Sequence, residues 1–124
     1  MAAPTTELLK RILNAFNAHD IDTVMGFFVE DCVLEMPRGP DPWGRRFVGA
    51  ATVRQALKSR FDGIPDVQYC EDSHYVAGSI GISKWTLRGT SATNGAPIEV
   101  RGCDFFEFRD GKIAKKDSYW KIVE

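Results

Sequence analysis

At 124 residues, 44% of them hydrophobic and 27% charged, the chain is long enough for one domain with its own core and too apolar to stay disordered. Its 16 basic and 17 acidic side chains leave a net charge of −1, which gives no electrostatic footprint for nucleic acid or an anionic membrane. No apolar run approaches the ~18 residues of a membrane span, and the opening MAAPTTELLKRILNAF lacks the basic, apolar and cleavage segments of a secretion signal.

In chain order, the first predicted element is a helix from about Thr6 to Asn17, in which Leu8, Leu9, Ile12, Leu13 and Phe16 form a single apolar stripe. Asp20 reads as the N-cap of a second helix, with Asp22 in its first turn and Ile21, Val24, Met25 and Phe28 on its buried side. A short strand is predicted over 32–36, then the Pro/Gly-rich loop PRGPDPWGRR. A third helix follows Gly49, with Val53, Ala56, Leu57 and Phe61 as its stripe. From Val67 onward the pattern predicts strands over 67–72, 74–80, 82–90, 97–109 and 112–122. Turn signals stand at Asp72-Ser73, Gly81, Asn94-Gly95 and Asp110-Gly111.

Helices first and antiparallel strands afterwards imply an α+β fold in one domain over 1–124, a strongly curved sheet with the helices on one side around a pocket. Period two puts Gly102, Asp104, Phe106 and Phe108 inward, with Lys116, Ser118 and Trp120 across from them. A bulge at the Asp-Gly turn would reverse that parity and make Asp117 and Tyr119 the inner pair. With Asp104 and Ser118 inward, Phe105, Cys103, Ile113 and Tyr119 form an outer face suited to a homodimer. Cys32, Cys70 and Cys103 are an odd, scattered trio with no CxxC, as expected of free thiols in a reducing cytoplasm. His19 and His74 have no partner at metal or triad spacing. No zinc signature, phosphate loop or nucleophile motif is present, so neither metal nor cofactor is expected.

Three stretches, FNAHDIDTVMGFFVEDCVLE, GRRFVGAATVRQAL and VRGCDFFEFRDGKI, carry a resemblance to the nuclear-transport-factor-2-like superfamily, especially its polyketide-cyclase (SnoaL-like) branch. The resemblance implies a cone of curved sheet around an apolar pocket, often paired into homodimers through the outer sheet face. Function is left open, since one scaffold hosts many chemistries. Steroid isomerases of this superfamily carry a base aspartate that matches Met36 here and a helix-1 tyrosine that matches Ile12. Their second oxyanion donor, a carboxylic acid kept neutral by an apolar site, matches Asp104. One part of three remains, so the chain is not expected to be a steroid isomerase. The water-holding positions of limonene epoxide hydrolases correspond to Leu34, Met36 and Ser118, with Trp85 and Leu87 near the Arg/Asp pair. That set is too apolar to activate water.

Asp104 is therefore the candidate catalytic residue. Either burial makes it a general acid or oxyanion donor, or it is a structural carboxylate bound to Lys116, Ser118 or Trp120. Lys116 is a weaker candidate, as an electrophilic group or anion receptor. Glu35 should face outward. Ile12, Leu34, Met36, Trp43, Phe47, Trp85, Leu87, Phe106, Ser118 and Trp120 are expected to line a pocket for a small apolar or aromatic molecule. Trp43, beside Arg45 and Arg46, is either a lid over that pocket or a surface tryptophan docked on the domain. The two functional expectations are a cofactor-free proton-transfer enzyme and a non-catalytic homodimeric module.

Overall fold

The computed structural model describes residues 3–124, in the order α1 (Thr6–Asn17), α2 (Ile21–Met25), β1 (Phe28–Glu35), β2 (Arg46–Val48), α3 (Ala50–Gly63), β3 (Gln68–Ala77), β4 (Ile80–Thr90), β5 (Pro97–Arg109) and β6 (Lys112–Trp120). Local chemistry sets the helix starts. Thr5, in extended backbone, accepts the Leu8 amide on its hydroxyl, and Asp20 does the same for Thr23. α3 starts instead from Gly49 at φ +92°, a conformation that favours glycine. α1 buries Leu9, Ile12, Leu13 and Phe16 as its stripe predicts. α2 is shorter than expected, and Phe28 is the first residue of β1 rather than part of the helix.

The strands make one six-stranded sheet in the order β2-β1-β6-β5-β4-β3, antiparallel except where β1 meets β6. The sheet is curved but unclosed, with β2 and β3 as its edges, so the architecture is α+β and cone-like rather than a sealed barrel. α1 packs on β3 and β4, and α3 on β1. Their stripes meet Leu34, Val67, Trp85, Leu87, Phe106 and Ile113 in a single core.

Irregularities in the ladders cause most departures from the sequence expectations. β3 is one strand, not two. The segment around Asp72-Ser73 is a bulge with Glu71 at φ +52°, and the hairpin turn lies at Gly78-Ser79. Gly81 is not a turn residue either. It lies within β4, where a Cβ would stand 2.7 Å from a Leu9 methyl of α1. The loop PRGPDPWGRR is the turn of a hairpin that adds β2 against β1, with Leu34 opposite Phe47. The Asp110-Gly111 turn forms where predicted, both residues at positive φ. Beyond it the register shifts between Glu107 and Phe108, so that Phe108 faces Ile113 while Phe106 faces Lys116. The extra residue turns Ile113 into the core at 0% exposure, instead of the outer face expected for it, while leaving Asp104 opposite Ser118.

Gly102 holds this region together through a close approach. A Cβ there would come within 2.4 Å of the Tyr119 carbonyl oxygen and 2.6 Å of the Trp85 ring. Gly102→Ala is expected to lose about 1–3 kcal/mol of unfolding free energy by overpacking, measurable by urea denaturation. A neutral substitution would show that β5 and β6 part at no cost.

Candidate functional site

The concave face of β5 and β6 brings four polar groups together in the core. Asp104 is opposite Ser118, and Trp85 of β4 reaches the same carboxylate from the other side. Asp104 Oδ1 accepts from Ser118 Oγ at 2.6 Å and from the Lys116 ammonium at 3.1 Å, while Oδ2 accepts the Trp85 indole N–H at 2.9 Å. Lys116 also donates to Ser118 Oγ at 2.8 Å and lies 5.4 Å from the centre of the Phe16 ring. All four residues are buried. With three donors on two oxygens, Asp104 is the hub of an ion-paired network, and its carboxylate is poorly placed to donate to anything else.

Space around this network is small. A cavity of about 10 Å³ touches Asp104, Lys116, Ser83, Tyr69, Trp85, Phe106 and Ile12, room for roughly one water. A second, equally small cavity lies between Tyr69, Trp85, Lys116 and Ser118 on one side and Met36, Arg60 and Trp120 on the other. Beyond Arg60 and Trp120 the cone opens into a cleft of about 430 Å³, walled by Met36, Arg38, Arg45, Phe47, Arg60, Ile64, Ile98 and Trp120. The second cavity shares Met36, Arg60 and Trp120 with the cleft and Tyr69, Trp85 and Lys116 with the first cavity, so it lies between them. Arg60, whose guanidinium lies 4.5 Å above the Trp120 ring, stands at the constriction.

Of the expected lining residues, Ile12, Met36, Phe47, Trp85, Phe106, Ser118 and Trp120 border these spaces. Leu34 and Leu87 do not; both are fully buried in packed core. Trp43 is not a lid on the inner pocket. Its ring is held by the Arg46 guanidinium at 4.5 Å, and it lines a cleft shared with Glu35, Asp117 and Tyr119. Asp117 and Tyr119, the rival inner pair, sit there too, joined by a 3.2 Å hydrogen bond. Burial raises the Asp117 carboxyl above its ordinary range, reinforced by the charge of Glu35.

Two groups escaped the sequence reading. Tyr69 of β3 is buried between Phe16 and Trp85, and no described residue hydrogen-bonds its hydroxyl. Burial, and then the charge of Asp104, push that phenol far above its ordinary range, while Arg60 opposes them. Its alternation with Val67 was the available signal. The second is a chain of hydrogen bonds. Asp72 Oδ2 meets His74 Nε2 at 2.7 Å, and His74 Nδ1 meets Ser83 Oγ at 2.8 Å. Lys10 caps Asp72 at 2.8 Å. A carboxylate only accepts, so Nε2 carries the proton and Nδ1 of a neutral ring accepts from Ser83. This has the order of a Ser-His-Asp triad, yet Ser83 is 2% exposed and faces a space for a single water. Ser83 borders neither the second cavity nor the cleft, so the chain ties α1, β3 and β4 together.

A SnoaL-like domain model matches residues 9–116. The chain belongs to that family. Among solved structures, the SnoaL-like chain is similar to a Xanthomonas campestris protein provisionally described as a polyketide cyclase, at 25% identity and a TM-score of 0.83, covering 94% of this chain and 89% of that one. A Pseudomonas putida protein with the same provisional description shares 22% identity over 94% and 91% of the two chains, at a TM-score of 0.80. A Catenulispora acidiphila protein with a ketosteroid isomerase-like fold, solved with trimethylamine, shares 15% over 96% and 88%, at 0.81. These support the nuclear-transport-factor-2-like cone fold.

The network gives a stability test. Asp104→Asn leaves Lys116 buried without its counter-charge and should cost about 3–5 kcal/mol. Adding Lys116→Met should recover most of that loss in urea unfolding; no recovery would mean that packing, not charge, sets the cost. A second test concerns Glu35, which faces outward as expected but is only 3% exposed, bonded by Arg46 at 2.7 Å and Lys115 at 3.1 Å. Burial pushes its pKa up, but the two cations outweigh it and hold the carboxyl below its usual range. A depressed pKa adds stability above the unfolded value of about 4.3, lost as pH falls through the folded value. Glu35→Gln should therefore cost about 1.5–3 kcal/mol near pH 7, and the difference from the parent should vanish in acid. A pH-independent difference would assign the effect to shape.

Proposed function

We propose that this SnoaL-like protein binds a small molecule with an apolar body in the mouth cleft and presents one of its oxygens to the Lys116–Asp104 pair. The observation that carries this reading is the succession of cleft and two small cavities, each sharing residues with the next, between solvent and a buried ion pair. A cleft of about 430 Å³ is within the usual range for small-molecule sites. The chemistry such a pair supports is proton transfer beside a carbonyl, without a cofactor. Lys116 donates to the oxygen as negative charge develops, Asp104 takes the proton from the neighbouring carbon, and its return to another carbon completes an isomerisation or cyclisation. The hydrogen bonding thus favours Lys116, rather than Asp104, as the donor to the oxyanion. Asp104 acts as base and as the anchor of Lys116.

The outer face supports a homodimer. Tyr75, Phe105 and Tyr119 are exposed there, and Phe105 and Tyr119 stack edge-to-face at 5.6 Å. The three unpaired thiols fit a reducing cytoplasm.

Exchange of carbonyl-adjacent hydrogens for deuterium, followed by NMR over a panel of enolisable ketones, tests the chemistry. Wild-type protein should exchange at least one ketone faster than buffer. Lys116→Met and Asp104→Asn, assayed where each is folded, should lose about 10²-fold or more of that rate. Undiminished exchange in both variants would remove the pair from the mechanism. Sedimentation should show a dimer that Tyr119→Glu dissociates; a wild-type monomer at high concentration would remove the dimer.

A further inference from the structure

The mouth cleft carries a charge pattern that the chain as a whole lacks. Arg38, Arg45 and Arg60 converge on it, and no Asp or Glu is among its walls. The arginines that form ion pairs are others: Arg46 with Glu35, Arg54 with Asp22, Arg88 with Glu71 and Glu99, and Arg109 with Asp31. In a chain with 17 acidic residues against 16 basic ones, three guanidiniums left without a carboxylate at one opening are segregated charge.

Their placement is built into the backbone. Arg38 and Arg45 are joined across the β1–β2 hairpin by the Arg45 N–H, which donates to the Arg38 carbonyl at 3.1 Å. The next bond of that ladder runs from the Met36 N–H to the Arg45 carbonyl at 2.9 Å, and Gly44 at φ +79° permits the tight turn. Arg60 comes from the opposite wall, one turn beyond Leu57 on the inward stripe of α3, and its stacking on Trp120 fixes its direction. Between the arginines the walls are apolar, with Phe47 and Trp120 the largest. At the inner end, the unpaired Tyr69 hydroxyl and Lys116 face the space behind the constriction.

We infer that the ligand of this cleft is a small organic acid. Its carboxylate is held by Arg38, Arg45 and Arg60, its apolar body lies on Phe47 and Trp120, and an oxygen at its far end faces Tyr69 and Lys116. Guanidinium forks match a planar carboxylate and bind it with charge-assisted hydrogen bonds. The apolar walls need a body of ring size, which an inorganic anion lacks. The inference rests on the proposed function only for the far end, where an oxo group meets Lys116; on that reading the substrate is an oxo acid. The carboxylate clamp itself stands on the arginines.

Three isosteric probes separate the possibilities: 2-naphthoate, neutral 2-naphthylmethanol and cationic 2-naphthylmethylammonium, each titrated into the intact protein by calorimetry. The naphthoate should bind about tenfold or more tighter than the alcohol, and the ammonium compound most weakly. Raising salt from about 20 to about 500 mM should weaken the naphthoate alone. Arg45→Gln, a change at an exposed loop position, should weaken the naphthoate by more than the alcohol and so bring the two closer together. Equal binding of acid and alcohol, or tighter binding of the ammonium compound, would overturn the clamp while the small-molecule cleft survives. Failure of all three probes up to millimolar concentration would overturn the clamp and the cleft together.

Discussion

The structure depends on one buried ion pair placed where the sheet folds over its helices. Lys116 and Asp104 lie on adjacent strands with Ser118 and Trp85 completing their hydrogen bonds. Burying two charges costs several kcal/mol each, and attraction repays that only when the remaining donors and acceptors are also met. Here they are met: the Asp104 oxygens accept from Lys116, Ser118 and Trp85, and the Lys116 ammonium also bonds Ser118 Oγ. The pair thereby dictates register. A slip of one residue between β5 and β6 would turn Lys116 to the outer face and leave Asp104 buried alone.

Register is also where sequence and structure part. The Asp110-Gly111 turn, the bounds of α1 and the cap at Asp20 were legible because each rests on local chemistry: a glycine at positive φ, an apolar stripe, a side chain accepting an amide. Ile113 was misplaced because one extra residue in β6 changes which way the strand end faces, and no composition signal marks a bulge. Asp72-Ser73 reads as a turn for the same local reasons. Asp72, however, finds Lys10 on α1, 62 positions away in sequence, and His74 beside it, so the strand continues. Long-range partners outweighed turn propensity there.

The candidate site divides along the same line. Asp104, Ser118 and Trp120 follow from period two in one hairpin. Arg60 was visible in principle, since a charge on the inward stripe after Val53, Ala56 and Leu57 must face either core or cleft. Trp43 went the other way. A tryptophan in a Pro-rich loop suggests a lid, but Arg46 on β2 stacks on its ring and keeps it beside Glu35 and Tyr119. The strand that places Arg46 is three residues long, too short for any pattern to show.

Ile12 and Met36 stand where the sequence resemblance to steroid isomerases would look for the partners of Asp104, and the structure shows what surrounds that carboxylate instead. An acid that donates to an oxyanion must be protonated and must keep its proton free to point at the ligand. Asp104 has a lysine at 3.1 Å, a serine hydroxyl at 2.6 Å and an indole N–H at 2.9 Å, so it is held as an acceptor by three donors, with one lone-pair position on Oδ2 left over. The apolar Ile12 and Met36 close the walls around the network and leave Lys116 as the cation that borders both inner cavities. The free donor protons of the network therefore belong to Lys116, two residues before Ser118 on β6, and not to Asp104. What an acid is bonded to, and not its position alone, decides whether it can act as a donor.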